Sequence, residues 1–139
     1  MRVDNRPIVM VADYSKDTRE MLSFWLKAEG CRVVEASNGQ EAIELTRVGC
    51  PDLILMSLRM PLRDGMDAAR SIREHVMECD VPIIAMSSYP TQEVEASALA
   101  AGCSSFIAQP FDFNCLRNLL GSLLPESSRP LSQRRLELN

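Results

Sequence analysis

A chain of 139 residues, 46% of them hydrophobic and 24% charged, is long enough for one domain with a proper core and has an ordinary globular composition. Its net charge of −4 argues against a nucleic-acid-binding body, and no apolar run reaches membrane-spanning length. The N-terminal stretch Met1 to Pro7 lacks an apolar signal segment, and the five cysteines (Cys31, Cys50, Cys79, Cys103, Cys115) are scattered, odd in number and without metal-type spacing. Most of them sit among apolar neighbours, where free cysteine behaves as a small hydrophobe, and a reducing cytoplasm is the expected setting.

Five apolar strand-like runs alternate with five helix-like stretches. Ile8 to Ala12 is continuous in hydrophobicity, as expected of a parallel strand buried on both faces. Asp13 follows it, and Ser15 can cap a helix to about Glu29 with Met21, Leu22, Trp25 and Leu26 on one face. Gly30 supplies a left-handed helix end. Cys31 to Ala36 alternates, which suits a strand nearer an edge. Asn38-Gly39-Gln40-Glu41 then reads as a capping-box-like start to a helix that turns Ala42, Leu45 and Thr46 inward and ends near Gly49. Cys50-Pro51 breaks the chain before a central strand. Beyond Asp64-Gly65 a third helix carries Met66, Ala69, Ile72 and Val76 at helical spacing. Val81 to Ser87 is a fourth strand ending on a hydroxyl, and Thr91 caps an alanine-rich helix that finishes at Gly102. Ser105 to Ala108 is a short fifth strand. Asp112 caps a last helix with the inward stripe Leu116, Leu119, Leu120, Leu123, which Pro125 stops. Residues 1–125 thus form the domain, and 126–139, polar and proline-containing, read as a flexible tail. Alternating strands and helices make an α/β protein with a doubly wound parallel sheet, but pattern alone leaves the strand order open.

The central stretch is Asp52-Leu53-Ile54-Leu55-Met56, then Ser57 at the strand end, then Met60-Pro61-x-x-Asp64-Gly65. In an open α/β sheet, chemistry gathers at the carboxyl end of such a strand. This stretch resembles the receiver domain of bacterial two-component response regulators, and the resemblance runs from about Ile8 to Leu124. It implies a (βα)5 flavodoxin-like fold with a five-stranded parallel sheet of order 2-1-3-4-5.

The resemblance also assigns the pocket. The family's phosphoacceptor aspartate falls on Ser57. Its metal-holding acidic pair falls on Ala12 and Asp13, so half of the pair is missing. Ser87 keeps the hydroxyl that contacts a phosphoryl group, and Phe106 keeps the ring that changes rotamer, without the common tyrosine hydroxyl. The family's lysine is replaced by Gln109, followed by the retained Pro110, where the family suggests a cis peptide. Magnesium wants near-octahedral oxygen ligation with one or two protein carboxylates, and here only Asp13 remains as a weak candidate ligand. A neutral serine without a base or metal is a poor nucleophile, and a transferred phosphoryl group would lack its fixed positive partner. Ser57 and Gln109 are placed to hydrogen-bond across a neutral pocket. Bland readings stand beside these: Ser57 as an inert strand-end residue, Asp13 as a local hydrogen-bonder, Asp64 as a helix cap, and the single histidine, His75, as a solvated surface residue.

The expected function is that of a pseudo-receiver: a non-enzymatic module in two-component or phosphorelay signalling that works by protein–protein interaction and is not switched by aspartyl phosphorylation. By resemblance, its partner (a histidine kinase, another regulator or an output protein) meets about residues 91–124, and neither a cofactor nor a nucleic-acid or membrane partner is expected. Two alternatives are residual magnesium-dependent phosphoryl acceptance at another carboxylate such as Asp13, and small-molecule binding in the neutralised pocket.

Overall fold

A computed structural model describes residues 4–124; the expected tail and the helix-stopping Pro125 lie outside the described residues. Ten elements follow in strict alternation: β1 (Ile8–Ala12), α1 (Lys16–Ala28), β2 (Arg32–Ala36), α2 (Gly39–Val48), β3 (Leu53–Ser57), α3 (Gly65–His75), β4 (Ile83–Ser87), α4 (Gln92–Ala100), β5 (Ser105–Ala108) and α5 (Phe113–Leu123). The strands form one parallel sheet in the order β2-β1-β3-β4-β5. This is the order that the receiver resemblance implied.

Strand periodicity divides the core into two layers. Met10, Ile54, Met56, Ile83 and Ala85 face the α2, α3 and α4 side, where Ala42, Ile43, Ala69, Ile72 and Ala98 meet them. The intervening Val9, Val11, Leu53, Leu55, Ile84 and Met86 face α1 and α5 and pack on Leu22, Leu26, Leu116 and Leu120. The two central strands are buried on both faces, which explains their uninterrupted apolar runs. Each helix starts where a side chain caps it: Ser15, Asn38, Asp64, Thr91 and Asp112 each accept a hydrogen bond from a first-turn amide. Gly30 and Gly102 take the left-handed conformation after α1 and α4.

The structure corrects several sequence expectations. Met21 lies on the outer side of α1, 44% exposed, while Ser23 is buried in its place. Trp25 is half-buried and stacks on Phe113 with ring centroids 5.1 Å apart. In α2 the buried apolar residue beside Ala42 is Ile43, and Leu45 sits at the margin. β4 begins at Ile83 rather than Val81, because Pro82 precedes it, and α4 ends at Ala100 before the Gly102 turn. Cys50 and Cys79 are not free apolar fillers but are joined by a disulfide; Cys31 and Cys103 are buried and free, and Cys115 is exposed. Among the described residues, no helix is long and apolar enough to cross a membrane.

Candidate functional site

The carboxyl ends of β1, β3 and β4 and the segment after β5 meet in one cleft of about 560 Å³. Asp13, Ser57, Ser87 and Gln109 all line it, so the positions singled out from the sequence converge. Ala12, the other half of the acidic pair, ends β1 fully buried in the α2/α3 layer and offers no donor. Phe106 on β5 packs half-buried against that same layer, and Pro110 follows Gln109 through a cis peptide.

Backbone pairing fixes the floor. The Asp13 amide donates to the Ala36 carbonyl (3.0 Å), that of Leu58 to Met86 (3.0 Å), and that of Gln109 to Ser87 (2.8 Å). These bonds continue the ladders one residue past the strands, so residues 13, 57, 87 and 109 are held by the sheet itself. Gly65 permits the next contact: its amide donates to the Leu58 carbonyl at 3.0 Å, and a Cβ there would collide with the Ser57 backbone carbonyl.

Asp13 is 3% exposed and Ser57 6%. Burial pushes the Asp13 carboxyl above its ordinary value, opposed by the Ser15 amide, the Arg19 guanidinium and the nearby polar Ser57 and Gln109 side chains. The Ser15 amide donates to Asp13 Oδ1 at 2.8 Å, while Arg19 donates to the Asp13 backbone carbonyl at 2.7 Å and pairs with Glu35 at 3.3 Å. The Ser57 hydroxyl itself donates to the Arg59 carbonyl at 3.3 Å. Ser87 is turned to a local task, its Oγ accepting from the Tyr89 amide at 3.0 Å. Asp64, at the cleft wall, is the cap of α3, accepting from the Asp67 amide at 2.8 Å.

This donor set suits a magnesium ion poorly. One carboxylate reaches the floor, and its Oδ1 already accepts from the Ser15 amide. Ala12 is a buried alanine and Gln109 a neutral amide, so neither adds a charge to the cleft.

The sequence reading missed the rim. Tyr14, Arg59 and Tyr89 stand around the mouth, both tyrosines 60% exposed, with the Arg59 guanidinium 5.3 Å from the Tyr89 ring centroid. Each lies two residues past a strand end, and that spacing was available as a signal. Arg19 was missed because its role depends on how the first turn of α1 is set against the β1 end.

The match to known proteins is clear at this point. The family model for the response regulator receiver domain matches residues 9–121, and the chain belongs to that family. It is 34% identical over 109 residues to the transcriptional regulatory protein PdtaR of Mycobacterium tuberculosis, covering 78% of this chain and 52% of that protein. The chain therefore spans about half the length of that relative. Among solved structures, the receiver domain of the sensor histidine kinase PA1611 of Pseudomonas aeruginosa, with magnesium coordinated in its active-site cleft, is 27% identical with a TM-score of 0.78, covering 85% of this chain and 97% of that one. The Vibrio cholerae chemotaxis protein CheY4 shares the fold at a TM-score of 0.79 and 24% identity, covering 86% and 99%.

Proposed function

We propose that this receiver domain of two-component signalling acts as a constitutive protein-interaction module and takes no phosphoryl group at position 57. The observation that carries the reading is the single buried carboxylate, Asp13, approached by the Ser57 hydroxyl and the Gln109 amide, with Ala12 beside it. Phosphoryl transfer to a receiver needs a nucleophile, a metal to bridge oxygens and a cation for the developing charge. Here the nucleophile and cation positions hold the neutral Ser57 and Gln109, and Asp13 is the one carboxylate left for a metal, while the Ser57 hydroxyl is engaged by the Arg59 carbonyl. On this reading the domain is not an enzyme, needs no cofactor and works in the cytoplasm, and Asp13 keeps a structural role.

The partner surface is α4, β5 and α5, about residues 91–124. α4 supports this: within it only Ala98 is buried, its first turn carries Glu93 and Glu95, and Leu99 is 46% exposed. β5 is an edge strand. A helix so lightly packed presents most of its surface to a kinase, another regulator or an output protein.

The test is an amide NMR spectrum with magnesium, before and after adding beryllofluoride as a mimic of the phosphorylated state. The expected result is no shift at Asp13, Ser57 or Ser87. Saturable shifts at those residues that spread to Phe106 and α4 would overturn the reading.

The cleft itself favours a second reading, a small polar ligand. Its volume of about 560 Å³ lies within the usual ligand range of roughly 300–1,000 Å³, with a hydrogen-bonding floor and a tyrosine–arginine rim. A ligand-observed NMR screen of polar metabolites decides it: binding lost in Tyr89→Ala supports it, and an empty screen removes it.

A further inference from the structure

The disulfide between Cys50 and Cys79 lies at the opposite end of the sheet from the cleft, and the strand register explains why those two residues meet. Ile54 of β3 faces Ile83 of β4, an offset of 29 residues, and the two cysteines are separated by the same 29. Both therefore stand four residues ahead of a matched pair, at the entries to adjacent parallel strands, with Cα atoms 5.6 Å apart. That spacing is within the range a disulfide spans without moving the backbone. The two residues differ in exposure. Cys50, between Gly49 and Pro51, is exposed, while Cys79 is buried behind a turn in which Glu78 takes the left-handed conformation (φ 59°) and Met77 is 85% exposed.

We propose that Cys50 and Cys79 form a reversible thiol–disulfide site, oxidised by small disulfides of the glutathione class, which staples the α3–β4 turn to the entry of β3. In the reduced protein the Cys50 thiolate attacks one sulfur of the reagent, forming a mixed disulfide and releasing one thiol. The Cys79 thiolate then attacks the Cys50 sulfur and releases the second. Two protein thiols become one disulfide, the reagent disulfide becomes two thiols that carry the two protons, and two electrons pass to the reagent. Reduction runs the same steps backwards, with the incoming thiolate attacking the sulfur of Cys50, the exposed residue of the two. The other cysteines do not compete for the bond: burial pushes the Cys31 and Cys103 thiols up to about 11, and Cys115 stands unpaired on α5. Because β3 and β4 are already paired along their length, the staple acts on the turn and leaves the cleft as it is.

The experiment uses the full chain, reduced and then incubated with oxidised glutathione. After denaturation Cys31 and Cys103 should react with a maleimide, Cys115 should react or carry one glutathionyl group seen as a mass increment, Cys50 and Cys79 should do neither, and peptide mapping should join residues 48–59 to residues 74–117 with the bond on Cys79 rather than on Cys103 or Cys115. Adding reductant should lower Tm by about 10 °C in the native sequence and leave Tm unchanged in Cys50→Ser/Cys79→Ser. Amide shifts on reduction should centre on the segments flanking Cys50 and Cys79 and spare Asp13, Ser57 and Ser87. Maleimide-reactive or glutathionylated Cys50 and Cys79 after oxidation, a bond mapped elsewhere, or an equal fall in Tm in the double variant would each sink the proposal. The thiol count and the map hold even if the double variant does not fold.

Discussion

At the residue scale the decisive group is Asp13. Its carboxyl is buried, and burial raises its pKa above 3.8, the ordinary value that the unfolded chain keeps. The folded protein therefore binds this proton more tightly than the unfolded one. The linked penalty on stability is absent below about pH 3.8, grows as pH rises between the two values, and is fully present above the folded one. Asp13→Asn keeps an oxygen for the Ser15 amide and removes the charge, so it should raise Tm at pH 7 by a few degrees, a gain that vanishes near pH 3.5; thermal melts across pH check this. The reverse change is just as informative. Ser57→Asp sets a second carboxylate beside a buried one and should cost about 1–3 kcal/mol at pH 7. It should also leave the domain without beryllofluoride binding, because Ala12 and Gln109 still withhold the acidic and cationic partners. Binding restored by Ser57→Asp alone would show that the cleft needs less than three substitutions to work.

At the scale of elements, the β3–α3 junction leaves no room for a side chain at Gly65. Gly65 sits so close to the Ser57 carbonyl that any Cβ must push the strand end or the helix start aside. Gly65→Ala should therefore destabilise the fold by about 2–3 kcal/mol in urea melts and displace the Ser57 amide resonance. α5 depends on burial instead. Leu116 and Leu120 are fully buried against β1, β3 and β4 side chains, and Leu116→Ala should cost about 2–5 kcal/mol, again read by urea denaturation. α4 is different in kind: with only Ala98 buried, substitutions on its outer side such as Glu95→Lys should leave stability within about 0.5 kcal/mol of the native chain and change partner binding.

At the scale of the molecule, one covalent tie closes a 29-residue segment that contains all of β3 and α3. The chain-entropy relation makes such a loop worth about 3–4 kcal/mol. Against a typical total of about 5–15 kcal/mol, that is a large share for a single bond with one exposed cysteine. The domain should accordingly unfold at distinctly lower denaturant when reduced, with the same m-value if its compactness is unchanged, and paired urea melts with and without reductant measure this.

Local chemistry was legible in the residues. The five caps, the glycine after α1, the two-faced burial of the central strands and the positions gathered at the strand ends all follow from interactions spanning a few residues, and the structure bears them out. Ser57 in place of an acid and Gln109 in place of a cation were likewise visible as letters in a row. Strand order was not, since the apolar runs of β1 and β3 specify burial on both sides without naming a neighbour; it came from the family resemblance and was confirmed by the pairing. Nor was the outward turn of Met21, which depends on the angle at which α1 crosses the sheet. The rim of Tyr14, Arg59 and Tyr89 and the anchoring of Asp13 by Arg19 needed three strand ends brought side by side. The meeting of Cys50 and Cys79 needed the β3–β4 register, because two residues 29 apart become neighbours only when parallel strands pair at that same offset.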